Sequence, residues 1–519
     1  MSRLRLAALV LFVLPCACAP LRTDQPRPPS YALAPAHGTP LARQVETRLA
    51  AHPGQSGFRM LALNTEALAS RLELADAADR SIDLQYYIFA NDISGRMVAS
   101  RLLAAADRGV RVRILLDDLD ITDGDRLLDA LDAHPRIEVR LFNPFRFRAR
   151  SLLAKASQFL FEAPRLNRRM HNKCFIADGM QAIIGGRNIG DAYFDAGDET
   201  HFRDLDVRAI GPVVASSARA FDAYWNSPAA YPVTAYDQRR ATGADLARTR
   251  ANLARSAAAF RRSDFAQDLQ RDRTRQPDPD AWLWGRARLV VDAPAKADPD
   301  RPTRGVRIAR EVREVLAAAQ HRATIVSPYF IPGDRGEALL EGLVARGVKV
   351  SVLTNSLAAN DEPAVHAGYA RYRPALLAAG VSIHEFRPIG GRNAGTAHGR
   401  SSGLSLHAKA MVVDGHEVYI GSMNFDPRSR WLNTEMGVIV DSPALAGAVE
   451  GFIERASSPR NAFHVEPGPC PGQPAGRARA HWTASDEGRT VCHDDEPDVS
   501  MWKRIELQLW RVLPIEGLL

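Results

Sequence analysis

The sequence predicts an α/β protein built from two pseudo-symmetric units, each a mixed sheet flanked by helices. Three observations carry that expectation. An order of apolar strand, helix, glycine stop and second strand occurs twice along the chain. A His-x-Lys stretch running into an Asp-Gly turn recurs at the same place in each copy, as HNKCFIADG at 171–179 and HAKAMVVDG at 407–415. Finally, 519 residues at 46% hydrophobic and 24% charged are enough for more than one buried core.

The chain opens on MSRLRLAALVLFVLPCACAP, with Arg3 and Arg5 ahead of an apolar run from Leu6 to Leu14 that is short for a membrane span. Residues 1–19 are therefore expected to be a lipoprotein-type export segment, with Cys18 as the lipidated residue. That places the protein in the cell envelope, exported and membrane-anchored, at the inner or the outer membrane. Residues 20–58, rich in Pro and Ala, read as a tether.

The first unit spans 59–235 and the second 304–463. SIDLQYYIFAND at 81–92 matches ATIVSPYFIPGD at 323–334, a short strand ending in a tyrosine and an acidic turn. A helix stopped by Gly109 or Gly347 follows, since glycine suits the left-handed position after a helix. The next strands alternate: Val110, Val112 and Ile114 with Arg111 and Arg113, and Val348, Val350 and Val352 with Lys349 and Ser351. IEVRLFNP and VSIHEFRP supply a third strand in each half. In each His-Lys segment two apolar runs flank an Asp-Gly turn, which predicts a hairpin. The His and Lys stand two apart on its first strand and so share one face. Between the units, 236–303 reads as a helical arm and connector, and 464–519 as a C-terminal extension packed through its tryptophans.

The doubled His-x-Lys-x4-Asp pattern resembles the phospholipase D superfamily over most of residues 60–460. Within it, QYYIF, RLFNPF, RRMHNK, IGGRNIGDAYF, DPRSRWLNTE and LPIEGLL are most similar to bacterial cardiolipin synthases of the C type. The resemblance implies two phospholipase D-like domains forming one active site at their interface. It also implies a phosphatidyltransferase that makes cardiolipin from phosphatidylglycerol, phosphatidylethanolamine or both, through a phosphohistidine. Hydrolysis of phospholipid to phosphatidic acid is the alternative, and cleavage of nucleic acid a more distant one.

The residue types suit a phosphodiester. Its charge must be neutralised before a nucleophile approaches. Lys173 and Lys409 supply point charges, and Asn188 and Asn424 hydrogen-bond donors to the phosphate oxygens. Arg187 is a further candidate for phosphate contact or for support of the site. One imidazole attacks phosphorus while the other handles the leaving and entering oxygens. The residues alone leave the order open; the resemblance implies His171 as nucleophile and His407 as acid/base. Each ring needs a carboxylate behind it, and Asp204 and Glu435, in matching strands downstream, are the candidates, with Asp206 as competitor. Asp178 and Asp414 complete the candidate catalytic motifs but fall at hairpin turns, where support of the fold is the simpler role.

No metal or cofactor is required by this charge arrangement. The expected partners are phospholipid substrates and a membrane surface, not nucleic acid, with any accessory protein undefined. The net charge of +7 is compatible with anionic partners. The stretch 142–173, in which Phe145, Phe147, Phe159 and Phe161 are interleaved with arginines, reads as a membrane-facing lip. Cys174 reads as a buried inert thiol, while Cys470 and Cys492 are candidates to pair.

Overall fold

The computed structural model describes residues 19–35, 37–119, 126–148, 152–197, 201–236, 241–274, 281–300, 306–388, 403–474 and 479–511. The expected lipidation site Cys18, most of the glycine-rich stretch 391–405 and the terminal LPIEGLL lie outside the described residues.

In the first lobe the sheet strands are β1 (Ser56–Leu61), β2 (Ser81–Tyr86), β3 (Arg111–Asp117), β4 (Ile137–Phe142), β5 (Cys174–Ala177), β6 (Gln181–Gly185) and β7 (Asp206–Ile210). β2, β3 and β4 are parallel neighbours, and β5 joins β2 antiparallel. From β5 the sheet runs antiparallel through β6 and β7 to β1. The second lobe repeats this plan with β8 (Leu283–Val291), β9 (Arg322–Val326), β10 (Lys349–Asn355), β11 (Ser382–Phe386), β12 (Ala410–Val413), β13 (Glu417–Gly421) and β14 (Met436–Asp441). There β9, β10 and β11 are parallel, and β12, β13, β14 and β8 follow antiparallel.

Both expected hairpins form, and Asp178 and Asp414 sit at their turns with φ of 54° and 51°. Gly109 and Gly347 follow the helices Ile93–Asp107 and Gly333–Ala345 at φ of 98° and 85°, where a side chain would be strained.

Two stretches differ from the sequence reading. Residues 20–58 are not a free tether. The Arg113 guanidinium donates to the Ser30 carbonyl, Asp222 accepts from the Ala32 N–H, and Pro40–Ala51 is a helix that buries Leu41 and Val45. The connector 236–303 holds two helices, Gly243–Phe260 and Asp264–Thr274, but also strand β8. β8 serves both lobes, because 283–285 pair with β1 and 286–291 with β14. Arg113, one of the polar residues alternating along β3, is buried. Strand register puts it opposite Asp83, with which it pairs at 2.6 Å, and it reaches Asp222 at 2.8 Å. Helices cover both faces of the sheet, so a charge there needs a partner.

The lobes share one apolar core in which Ala182, Ile184 and Val207 meet Val418, Ile420 and Val438. The C-terminal extension adds three antiparallel strands beyond β11: Ala462–Pro467, Ala480–Asp486 and Arg489–His493. Cys470 and Cys492 are joined there. Trp482 is buried, its indole N–H donating to Glu385 at 2.8 Å. Trp502 instead is 80% exposed on the last helix, Met501–Arg511. Among the described residues no helix is long and apolar enough to cross a membrane.

Candidate active site

Two short backbone pairings across the lobes build the site. Met170 bridges in parallel to Thr434, with the His171 N–H donating to the Thr434 carbonyl at 2.9 Å. One residue further along both segments, His171 Nδ1 stands 2.9 Å from Glu435 Oε2. The other half-site repeats the device: Leu404–Leu406 pairs in parallel with His201–Arg203, and the His407 N–H donates to the Arg203 carbonyl at 2.7 Å. The next residues again meet, with His407 Nδ1 2.5 Å from Asp204 Oδ2. Each imidazole is thus held by the acid of the opposite lobe. A carboxylate on Nδ1 fixes the tautomer and leaves Nε2 for chemistry.

Lys173 and Lys409 lie on the same strands two residues after each histidine, and each donates back to the carbonyl of its own histidine. Both lysines are 1% exposed. Burial, followed by the charge of the neighbouring lysines, pushes both imidazoles well below the usual histidine range. Burial likewise pulls Lys173 well below its ordinary value and Lys409 down to about 8. It raises Asp204, and lifts Glu435 to about 7. The pocket therefore gathers four basic groups whose protonation is held down by burial and mutual repulsion. An anion among them reverses that balance, since an opposite charge favours the protonated form.

Asn188 and Asn424 flank the two halves at corresponding positions. The Asn188 amide donates to the Tyr193 hydroxyl at 2.8 Å, and its oxygen accepts the Ile88 N–H. Asn424 is 7% exposed. Tyr87 is half-buried, its ring edge-on to His171 at 5.0 Å and under the Lys173 ammonium.

For Arg187, Asp178 and Asp414, offered as phosphate-binding or catalytic candidates with a supporting role as the alternative, the geometry favours the supporting role. Arg187 does not face a substrate phosphate. Its guanidinium is fully buried and donates to the carbonyls of Leu61, Ala62 and Asp204 and to Asn64, and it pairs with Asp206. Its part is to hold the Asp204 backbone. Asp178 and Asp414 are likewise not among the groups at the imidazoles. Asp178 accepts from the N–H groups of Asp79, Arg80 and Ser81, and Asp414 from those of Gln320, His321 and Arg322. Each ties its hairpin turn to the start of the neighbouring parallel strand. Asp206, the competitor, is spent on Arg71 and Arg187.

Sequence reasoning missed several neighbours. Ser422 donates to Glu435 Oε2 at 2.5 Å, and the Asp292 carboxylate accepts the Glu435 N–H while pairing with Lys296. Phe202 and Tyr193 pack on His407 at 5.0 and 5.2 Å. The serine was legible in GSMN at 421–424; Asp292 lies in the connector, where no motif marks it.

Two matching lobes, each lending an acid to the other's His-Lys strand, define a protein of the phospholipase D class. The family described as Cardiolipin synthase, PLD-like domain, matches residues 72–225 and 312–456, and the chain belongs to it. It is an enzyme of the phosphatidyltransferase kind. The chain is 41% identical to Cardiolipin synthase C of Escherichia coli (strain K12), over 92% of this chain and 99% of that protein. It is 26% identical to Cardiolipin synthase A of Pseudomonas syringae pv. syringae, over 76% of this chain and 67% of that protein. The crystal structure of phosphatidylserine synthase from Haemophilus influenzae Rd KW20 shares the fold, with a TM-score of 0.54 at 14% identity, over 82% of this chain and 91% of that one.

Proposed function

We propose that the enzyme makes cardiolipin by moving a phosphatidyl group from one phospholipid to the headgroup hydroxyl of another, with phosphatidylglycerol or phosphatidylethanolamine as donor. The observation that carries this reading is the reciprocal hold of His171 by Glu435 and of His407 by Asp204.

In the first step His171 Nε2 attacks phosphorus. The bond from phosphorus to the headgroup oxygen breaks, and protonated His407 gives its proton to that oxygen. In the second step neutral His407 takes the proton of the acceptor hydroxyl, whose oxygen attacks phosphorus as the P–N bond breaks. Glu435 and Asp204 stabilise each imidazolium as it forms, and Lys173 and Lys409 neutralise the non-bridging oxygens throughout.

Lipid rather than nucleic acid is supported by exposed apolar side chains on two surface segments. Phe147, Phe159, Leu160 and Phe161 stand out along the approach to the first motif, and Met501, Trp502, Ile505 and Leu509 on the last helix. Both segments also carry basic residues, which suits the interface of an anionic membrane. This agrees with an envelope location and a lipid anchor at Cys18. The test is to incubate purified protein with labelled phosphatidylglycerol, with and without phosphatidylethanolamine, and resolve the products by mass. Cardiolipin is expected; phosphatidic acid alone would select the hydrolase.

A further inference from the structure

Outside the pocket of the two histidines, the second lobe holds a cavity of about 180 Å³ with apolar walls, among them Leu316, Phe330, Leu340, Met423 and Phe425. Three arginines, Arg313, Arg335 and Arg430, line the same cavity. Arg313 and Arg335 are exposed, while Arg430 is half-buried and lies 4.6 Å from the ring centre of Trp431, which is 43% exposed. Among the described residues none of the three guanidiniums forms an ion pair with a carboxylate. Instead they act on one another: burial, then the charges of Arg335 and Arg313, lower Arg430. Clustered arginines without ion-pair partners beside an apolar wall form the complement of an amphipathic anion.

One wall connects this cavity to the reaction. Asn424, Asp426, Arg430 and Trp431 all line it, and four residues past Trp431 the chain delivers Glu435 to His171. Asn424 Oδ1 is buried there without a donor among the described residues, a place for a hydroxyl to donate. Asp426 is committed to the fold: its carboxylate caps the short helix Pro427–Trp431, accepting the Ser429 N–H at 2.6 Å, and burial raises it to about 6.

We infer that this cavity seats a second, anionic phospholipid with a hydroxylated headgroup: acyl chain against Leu316, Phe330 and Leu340, phosphate on Arg313, Arg335 and Arg430, and headgroup directed to Asn424. The inference rests on the phosphatidyl-transfer reading and gives the acceptor its place.

The test reads binding, not turnover, so it stands even if the enzyme proves to be a hydrolase. A short-chain phosphatidylglycerol brominated on its acyl chain is titrated into the full-length protein, and quenching is compared with that in Trp431→Phe. The Trp431 component should quench saturably, and phosphatidylcholine of the same chains should bind at least about tenfold more weakly. Arg313→Gln with Arg335→Gln should weaken phosphatidylglycerol to a similar degree. Both side chains are exposed, so the melting temperature should hold, and Leu339→Phe, which fills the half-buried cavity wall, serves as a second, independent block. Quenching that is absent, equal for the two lipids or indifferent to these variants would overturn the inference.

Discussion

His171 of the first lobe and Glu435 of the second lie 2.9 Å apart, Nδ1 to Oε2, while Asp204 of the first lobe holds His407 of the second. Neither half-site is complete without the other lobe. Replacing Glu435 by Gln should therefore cut the step performed by His171, although the substitution lies 264 positions away in sequence. Asp204→Asn should do the same to His407. Losing an orienting carboxylate lowers turnover by roughly 10²- to 10⁴-fold. Single-turnover kinetics should show formation of the covalent enzyme slowed in Glu435→Gln. Wild-type rates in either variant would refute the crossed arrangement.

Anion binding should take up protons. Lys409 sits at about 8 because burial disfavours its charge, and Lys173 and both imidazoles are lowered for the same reason. An anion favours the charged forms, so their values rise on binding and the complex holds more protons than the free protein. Affinity should then fall as pH rises through 8. Titration calorimetry with sulfate at about pH 8, in two buffers of different ionisation enthalpy, measures the uptake directly. Proton release, or no exchange, would contradict the charge balance described here.

Asp178 and Asp414 should behave as fold residues. Asp178→Ala leaves three N–H groups near the start of β2 without their acceptor, a loss of about 1–3 kcal/mol. Urea unfolding should show that loss, while kcat of the folded fraction stays within a few-fold of wild type. A selective collapse of kcat at unchanged stability would return these aspartates to the chemistry.

Much of this was legible in the sequence because it is local. Spacing of two put each His and Lys on one face, Asp-Gly marked each hairpin, and glycine stops marked the helix ends. The exchange of acids was not legible: it depends on Met170 pairing with Thr434 and Leu406 with Arg203, contacts between distant segments that no short pattern encodes. Strand β8 was masked differently. LWGRARLVV alternates as an edge strand does, yet its setting among Arg, Asp and Pro read as linker. The burial of Arg113 was not legible either, because it depends on Asp83 of the neighbouring strand, which pairs with it in the interior.

The exposed apolar segments should set membrane affinity without contributing to stability. Leu160 and Phe161 are 77% and 83% exposed, and Trp502 is 80% exposed. Phe159→Asp with Phe161→Asp, and Trp502→Asp with Leu509→Asp, should each weaken binding to phosphatidylglycerol vesicles. Each inserted side chain contributes on the order of 1–3 kcal/mol. Flotation assays alongside thermal melting separate the two effects. Unchanged flotation would remove these faces from the membrane contact.

The central claim, that both imidazoles act on one phosphorus in turn, is tested most directly with a phosphatidyl donor whose leaving group is p-nitrophenol, which departs without a proton. His407→Ala should release a stoichiometric burst of nitrophenolate and then stall, and mass spectrometry should find the phosphatidyl group on the peptide carrying His171. His171→Ala should give neither. A burst from His171→Ala, or an adduct on any other residue, would contradict the account.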